Sequence, residues 1–279
     1  MMKIIELIER RGGVPTSTVH QARLQIFQPT RRPVEMNQVF QTAWGEVRIK
    51  GRLGQQHADL LEAIMHFGTR PKDLGDGRIK LLVDPHQISI ATRLEGATLR
   101  RGMDDLMQAI VEIKEPAHLA GIGHLIDHVD FAKRASGAYV TAPNPLGGER
   151  RLWKVEMGKA LCRLIESDLW QRRDPRVLSS LRHGISQAVV RHVLSHRPGT
   201  CEKWPLNTLI RAVAGDLGDQ AMRDRRRELR DDAQALAVLG VRVEQKPGSV
   251  EQKPGSVEHK PGAWSINPDG SGSSGSSGA

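Results

Sequence analysis

Residues 220–232, QAMRDRRRELRDD, set five arginines (Arg223, Arg225, Arg226, Arg227 and Arg230) among acids that nearly cancel their charge. A guanidinium is a planar fork of donors that matches a phosphate, or the two major-groove acceptors of guanine. Such a run is either a solvated helix face with internal ion pairs or a face built to lie against a polyanion, and direction separates the two. An α-helix turns about 100° per residue, so with Met222 at zero, Leu229, Ala233 and Leu236 fall within about 40° and form the buried stripe. Arg223, Arg227, Arg230 and Gln234 lie at about 80–140°, with Arg226 nearer the buried edge. Asp224, Glu228, Asp231 and Asp232 lie at roughly 180–280°. The signs thus occupy adjacent stripes more than they alternate at i, i+4, although Arg227 with Asp231 is one such pair. Arg223, Arg226, Arg227 and Arg230 suit phosphate and guanine contacts, and Gln220, near the helix start, suits adenine.

No other constellation offers catalysis. Cys162 and Cys201 are far apart and form no CxxC, which removes a zinc ribbon or a thioredoxin motif and fits a reducing compartment. GHLIDHVD carries His124, Asp127, His128 and Asp130, but no third strong ligand accompanies the histidines, so no metal is expected. GIGH lacks the strand and Gly-rich turn of a dinucleotide fold, and there is no GxxxxGK[ST] for an ATP-driven machine. The one tyrosine, Tyr139, falls in a loop and disfavours nicking by tyrosine. The chain is expected to be no enzyme and to use no cofactor.

The elements that must position these residues can be read along the chain. Its 279 residues carry a formal net charge of +9, with 38% hydrophobic and 26% charged residues. That balance describes a globular protein with a polyanionic partner, nucleic acid before membrane. No apolar run approaches the roughly 20 residues of a membrane span, and MMKIIELIERRGG is too short and too acidic for a signal peptide, so a cytoplasmic location is expected. Residues 1–43 read as a flexible N-terminal arm: a short helix over 3–11, then an extended stretch. A first unit, 44–170, opens with a strand, GEVRIKGR. A helix follows with Leu60, Leu61, Ile64 and Phe67 on one face, and then a strand, IKLLVD. Asp84 and Pro85 suit the N-cap and first position of a short helix. A longer helix over 97–112 buries Leu99, Met103, Leu106 and Ile110. It turns Arg100, Arg101, Asp104 and Gln108 outward, and Arg100, Arg101 and Gln108 are candidate DNA contacts. HLIDHVDFAKR and RRLWKVEM read as two strands joined by a long Gly/Pro-rich loop. Trp44, Trp153 and Trp170 are expected as core or interface anchors.

A second unit, 171–270, repeats the order. Its first helix carries Ile185, Val189 and Val193, its second Leu206, Leu209, Ile210 and Val213, with CEKWPL as a short strand between them. The arginine helix follows, ending at Gly240, and VRVEQ is a strand. Helix, short strand, helix, turn, longer helix and hairpin are the order of a winged helix-turn-helix, whose longer helix enters the major groove. The expected fold class is α+β, with two such domains in tandem. A seven-residue repeat (VEQKPGS, VEQKPGS, VEHKPGA) lengthens the second wing. Its Lys246, Lys253 and Lys260 can brush phosphates, against the alternative of an inert loop expansion. Residues 271–279 read as an appended flexible linker.

WPLNTLI…QAMRDRRRELRDDAQALAVLGVRV resembles the C-terminal winged helix of plasmid replication initiators of the RepC and TrfA type, in its WPL entrance, its MRxxRRxxxR helix and its LxxLG exit. The likeness covers about 44–243 and is clearest in the second half. It implies a protein that binds repeated origin sites (iterons) on double-stranded DNA as a monomer, with a homodimer as the other form in solution. It also implies that the protein opens an adjacent AT-rich region and brings in the host replicative helicase. Arg223, Arg226 and Arg230 match the family's basic helix. QARLQIF, 21–27, is similar to the short peptide by which some such initiators bind the sliding clamp. Leu24, Ile26 and Phe27 would fill the clamp pocket; the alternative is that they pack on the first unit. A rival of another class is a winged-helix transcriptional repressor acting by promoter occlusion.

Overall fold

A computed structural model describes residues 4–245, apart from 116, 145–146 and 202–203, together with 264–268. The chain runs α1 (Ile4–Arg10), β1 (Ser17–Thr18), α2 (Val19–Arg23), β2 (Met36–Thr42), β3 (Gly45–Gly51), α3 (Gln55–Phe67), β4 (Thr69–Asp73), β5 (Ile79–Val83), α4 (Pro85–Thr92), α5 (Gly96–Gln108) and β6 (Ile110–Ile113). It continues with β7 (Gly121–Gly123), β8 (Ile126–Phe131), β9 (Thr141–Pro143), β10 (Glu149–Arg151), β11 (Trp153–Met157), α6 (Lys159–Glu166) and β12 (Trp170–Gln171). The remainder is α7 (Pro175–Ser179), α8 (Gly184–Leu194), α9 (Leu206–Ala214), α10 (Asp219–Asp231), α11 (Ala233–Val238), β13 (Val241–Gln245) and β14 (Trp264–Pro268). Helices and several small antiparallel sheets make a mixed α+β architecture. No helix among the described residues is long and apolar enough to cross a membrane.

Apolar burial separates into two clusters, one drawn from residues between Ile4 and Ile165, the other from residues between Leu178 and Val241. In the first, two four-stranded sheets, ordered β4-β5-β11-β8 and β2-β3-β6-β7, share one core with α3 and α5. Asp84 caps α4 as expected, its Oδ1 accepting from the His86 amide at 2.9 Å, with Pro85 in the first turn. α5 ends earlier than its apolar spacing predicts. Residues 110–113 are a strand paired with β3, and Ile110 faces Lys50 across it, because Ile-Val-Glu-Ile gains more as a β-branched alternating strand than as another helical turn.

The N-terminal segment is not an arm. Leu24 and Ile26 are fully buried, Phe27 nearly so, and all three belong to the first core along with Ile4 and Ile8. Gln21 is spent on a capping box, accepting from the Thr18 amide at 2.7 Å while its own amide reaches Thr18 Oγ1. The peptide that resembles a clamp ligand is therefore core, as its hydrophobic content demands when a pocket of the same chain lies within reach. This segment also ties the units together: β1 pairs with β12, Arg23 donates to the Ser195 hydroxyl and carbonyl, and Gln25 Nε2 donates to the Ala212 carbonyl at 2.7 Å.

Between the two clusters lies a buried polar seam. Arg191 of α8 donates to Gln55 Oε1 (2.7 Å), Asp59 Oδ1 (2.7 Å) and both Glu62 oxygens (2.9 and 3.1 Å) on α3. Gln187 adds a bond to Asp59 at 2.9 Å, and Arg173 pairs with Glu62. Burial alone would lift the Glu62 pKa, but Arg173 and Arg191 outweigh it and hold the carboxyl below its usual range. At Glu62 these are the donors a desolvated charge needs to remain ionised, whereas at Asp59 burial outweighs Arg191 and Arg31 and lifts the carboxyl above its usual range.

Candidate nucleic-acid interface

The arginine run forms α10, and of the predicted buried stripe Met222, Leu229 and Leu236 are buried and Ala233 is half-buried, while Arg223, Arg227 and Arg230 are exposed. α9 lies behind it. Gly215, at φ +71, ends α9 in a backbone conformation that glycine adopts at little cost, and a short turn leads to α10. Arg226 does not point freely outward. Its Nε donates to Asn207 Oδ1 on α9 at 2.8 Å, which pins α10 across α9.

The charge stripes are adjacent but bridged. Arg223 donates to Gln220 Oε1 (2.9 Å), Gln220 reaches the Asp224 carboxylate (3.3 Å), and Asp224 pairs with Arg227 (3.2 Å). Arg225 pairs with Glu228 at 2.8 Å. Arg227 thus meets Asp224 rather than Asp231, whose Oδ2 faces His183 at 3.5 Å. Exposed pairs of this kind are weak and exchange readily for a phosphate or a base edge, so the chain from Arg223 to Arg227 orders the face without closing it. Arg230 bonds the Arg226 carbonyl at 3.4 Å.

The helix does not run unbroken to Gly240. It stops at Asp231, and Asp232 leaves the acid stripe for the interior. The Asp232 carboxylate accepts from the amides of Arg182 (3.2 Å) and His183 (2.9 Å) at the start of α8, whose own N-cap, His183, supplies no side-chain cap. A carboxylate there satisfies orphan amides and opposes the helix dipole. The sequence signal was present, an acid near the helix end, but its partner lies about fifty residues away.

In the first unit the candidate contacts lie on α5. Arg100, Arg101 and Gln108 are exposed on it, and Arg100 and Arg101 line a shallow depression with Gly96, Ala97 and Asp104. On its inner side Asp105 accepts from Arg52 (3.0 Å) and His57 Nε2 (3.1 Å). His57 Nδ1 accepts from the Gly54 amide, which fixes the ring's tautomer with the proton on Nε2. Burial lowers the His57 pKa, with Asp105 only partly offsetting it. The hairpin β9–β10 is tied to the start of α4 by Arg150, which donates to Asp84 Oδ2 at 2.8 Å. Asp84 therefore serves two elements, and Arg150, Asp105, Asn207 and Asp232 are positioning residues that spacing did not reveal.

No group of three or more His, Cys, Asp or Glu among the described residues is arranged to hold a metal ion. Asp127, in the histidine-rich stretch, pairs instead with Arg78 at 2.7 Å, and His124 Nδ1 meets the Ala109 carbonyl at 2.9 Å. Val243–Gln245 of the first heptapeptide belong to β13, which pairs antiparallel with β14, while Lys246 and the rest of the repeats lie outside the described residues, as does 271–279.

No protein-family profile matches the chain, and no curated protein matches it. Among solved structures it is similar to the crystal structure of domains 2 and 3 of RctB, at a TM-score of 0.56 and 12% sequence identity. The superposition covers 90% of this chain and 97% of the RctB fragment, so the likeness of fold extends across both apolar clusters.

Proposed function

We propose that this chain is a DNA replication initiator that binds double-stranded DNA through two winged helix-turn-helix units and catalyses no reaction. The single observation that carries the reading is the exposed arginine face of α10, backed by α9, in a chain whose fold resembles domains 2 and 3 of RctB, a replication initiator. The order of elements supports it. In the first unit α3, β5, α4, α5, β8 and β11 occur in that chain order, with β4, β6, β7, β9 and β10 interspersed, and β11 lies between β5 and β8 in the sheet. In the second, the chain order is α8, α9, α10, α11, β13 and β14. α10 and α5 are then the major-groove helices, and the paired strands β8–β11 and β13–β14 belong to the wings. Arg223, Arg227, Arg230 and Gln220 make base or phosphate contacts from the second unit, and Arg100, Arg101 and Gln108 from the first. Arg226 acts by holding α10. The sites are iterons of the kind plasmid initiators of the RepC and TrfA type bind, and the host helicase is the protein recruited to them.

Selection of bound sites from a random duplex pool, followed by affinity measurement for Arg223→Ala, tests this. Loss of a base contact should cost about 1–3 kcal/mol on the selected site and much less on random duplex. Equal loss on both makes Arg223 a phosphate contact. Failure to enrich any sequence overturns the sequence-specific reading, and a lone palindrome over a promoter in place of tandem repeats favours a repressor.

A further inference from the structure

Aromatic residues are scarce in this chain, 4% of the total. Trp44, Phe131 and Tyr139 are exposed aromatic side chains. Trp44 lies under the Arg23 guanidinium, 3.8 Å from its ring centroid, at the junction of the two units. The other two meet on the connection between β8 and β11, ring centroids 5.9 Å apart at 81°. Phe131 ends β8; Tyr139 bridges back to Lys133. The Arg151 guanidinium, at the end of β10, lies 4.1 Å from the Tyr139 centroid and 5.7 Å from that of Phe131. Lys133 Nζ lies 5.4 Å from Tyr139.

The cluster sits on a fixed frame. Ala132, Val140 and Leu152 exchange backbone bonds of 2.8–2.9 Å, and the Arg150 bond to Asp84 ties the hairpin to α4. Asp130, the neighbouring acid, accepts from the Phe131 amide at 2.7 Å. Lys133 and Arg151 are exposed beside the rings, and Arg134 and one further acid, Glu149, are exposed on the same segment. Burying these rings would have been favourable. Exposed instead, they offer flat apolar faces and a guanidinium plane with cations close by. That chemistry suits a ligand with flat unpaired rings strung on a polyanion; the bases of a duplex, stacked on one another, cannot present their faces to it.

We propose that Phe131, Tyr139 and Arg151 form a stacking platform for the unpaired bases of single-stranded nucleic acid, with Lys133 and Arg134 on its phosphates. This deepens the reading of the chain as an initiator, since a protein that opens a duplex has a displaced strand beside it, and it rests on that reading for its context. The test is the affinity of the full chain for oligothymidylate, for an abasic strand of equal length and for its selected duplex. Stacking predicts tighter binding of oligothymidylate than of the abasic strand. Phe131→Ala with Tyr139→Ala should weaken oligothymidylate binding by about five- to a hundredfold, the span of base–aromatic stacking, and duplex binding by a smaller factor, since the rings lie on the wing of the first unit. Tyr139→Phe should retain binding, and photocross-linking of a 5-iodouracil strand should map to Phe131 or Tyr139. Equal affinity for the abasic strand, or an unchanged Ala variant, overturns the platform while leaving the duplex reading intact. Platform-dependent strand binding without any duplex site would uphold the platform and sink the duplex reading instead.

Discussion

Arg191→Met removes the centre of the polar seam while keeping most of the side chain's volume. In the intact protein Arg191 makes four hydrogen bonds to Gln55, Asp59 and Glu62, and its side chain is 5% exposed. The substitution leaves two buried carboxylates with less compensation, and breaking a buried pair typically costs about 3–5 kcal/mol. Glu62 retains Arg173, and Asp59 retains Gln187 and the partly exposed Arg31 at 3.5 Å. The lower end, about 3 kcal/mol, is therefore expected. Urea denaturation followed by tryptophan fluorescence measures it. The second core contains Trp204 at its edge and the first Trp153 and Trp170, so uncoupling of the two should also split or broaden the transition. Asp59→Asn added to Arg191→Met should cost less than the sum of the single changes, because the second removes a charge the first has stranded. A loss below about 1 kcal/mol together with strict additivity would refute the reasoning and shift the coupling to the N-terminal segment.

Acid should loosen the same junction by another route. His20 and His192 have no hydrogen-bond partner on either ring nitrogen, and burial, then His118 and Arg23 for the first and His196 and Arg23 for the second, lowers each pKa to about 4. The unfolded chain binds those protons nearer the ordinary 6.5. Stability is thus fully present above pH 6.5 and erodes as pH falls toward 4. At about 1.4 kcal/mol per pH unit the loss approaches about 3 kcal/mol per histidine. Urea midpoints at pH 7.5 and 5 should show it, and His192→Leu should flatten the slope; an unaltered slope would place the acid sensitivity elsewhere. Gly158→Ala should destabilise by about 3 kcal/mol, since its Cβ would lie 2.1 Å from the His124 carbonyl oxygen, which is backbone and cannot rotate away. Gly121→Ala, in the exposed strand β7 with nothing within 4 Å of the added carbon, is the matched control and should be near neutral in the same denaturation assay.

Much of the local structure was legible because it rests on near neighbours. The apolar spacing of Met222, Leu229 and Leu236 fixes which face of α10 is buried, and Asp84 before Pro85 fixes where α4 begins. The same local logic misjudged QARLQIF. Leu24, Ile26 and Phe27 are equally apolar whether they fill a partner's pocket or their own core, and only the packed chain shows which. Thr18 with Gln21, three residues apart, is a capping box that could have been read as a helix start.

What the sequence by itself determined is a subset of the amphipathic elements, among them α3, α4, α8 and α9, together with the outward side of the arginine helix, because helical and strand periodicity follow from backbone geometry within a few residues. Tertiary structure alone decided the fate of the polar residues. Gln55, Asp59 and Glu62 share one face of α3, opposite Leu60, Leu61 and Ile64, and spacing would assign that face to solvent. Gln187 and Arg191 of α8 cover it instead. Likewise Asp232 reads as one more acid on a charged helix until α8 is brought against it with uncapped amides. A charged side chain is buried only where its counter-charges and donors converge. Here they come from more than a hundred residues away for Asp59 and Glu62, and about fifty for Asp232, distances at which no periodicity carries information.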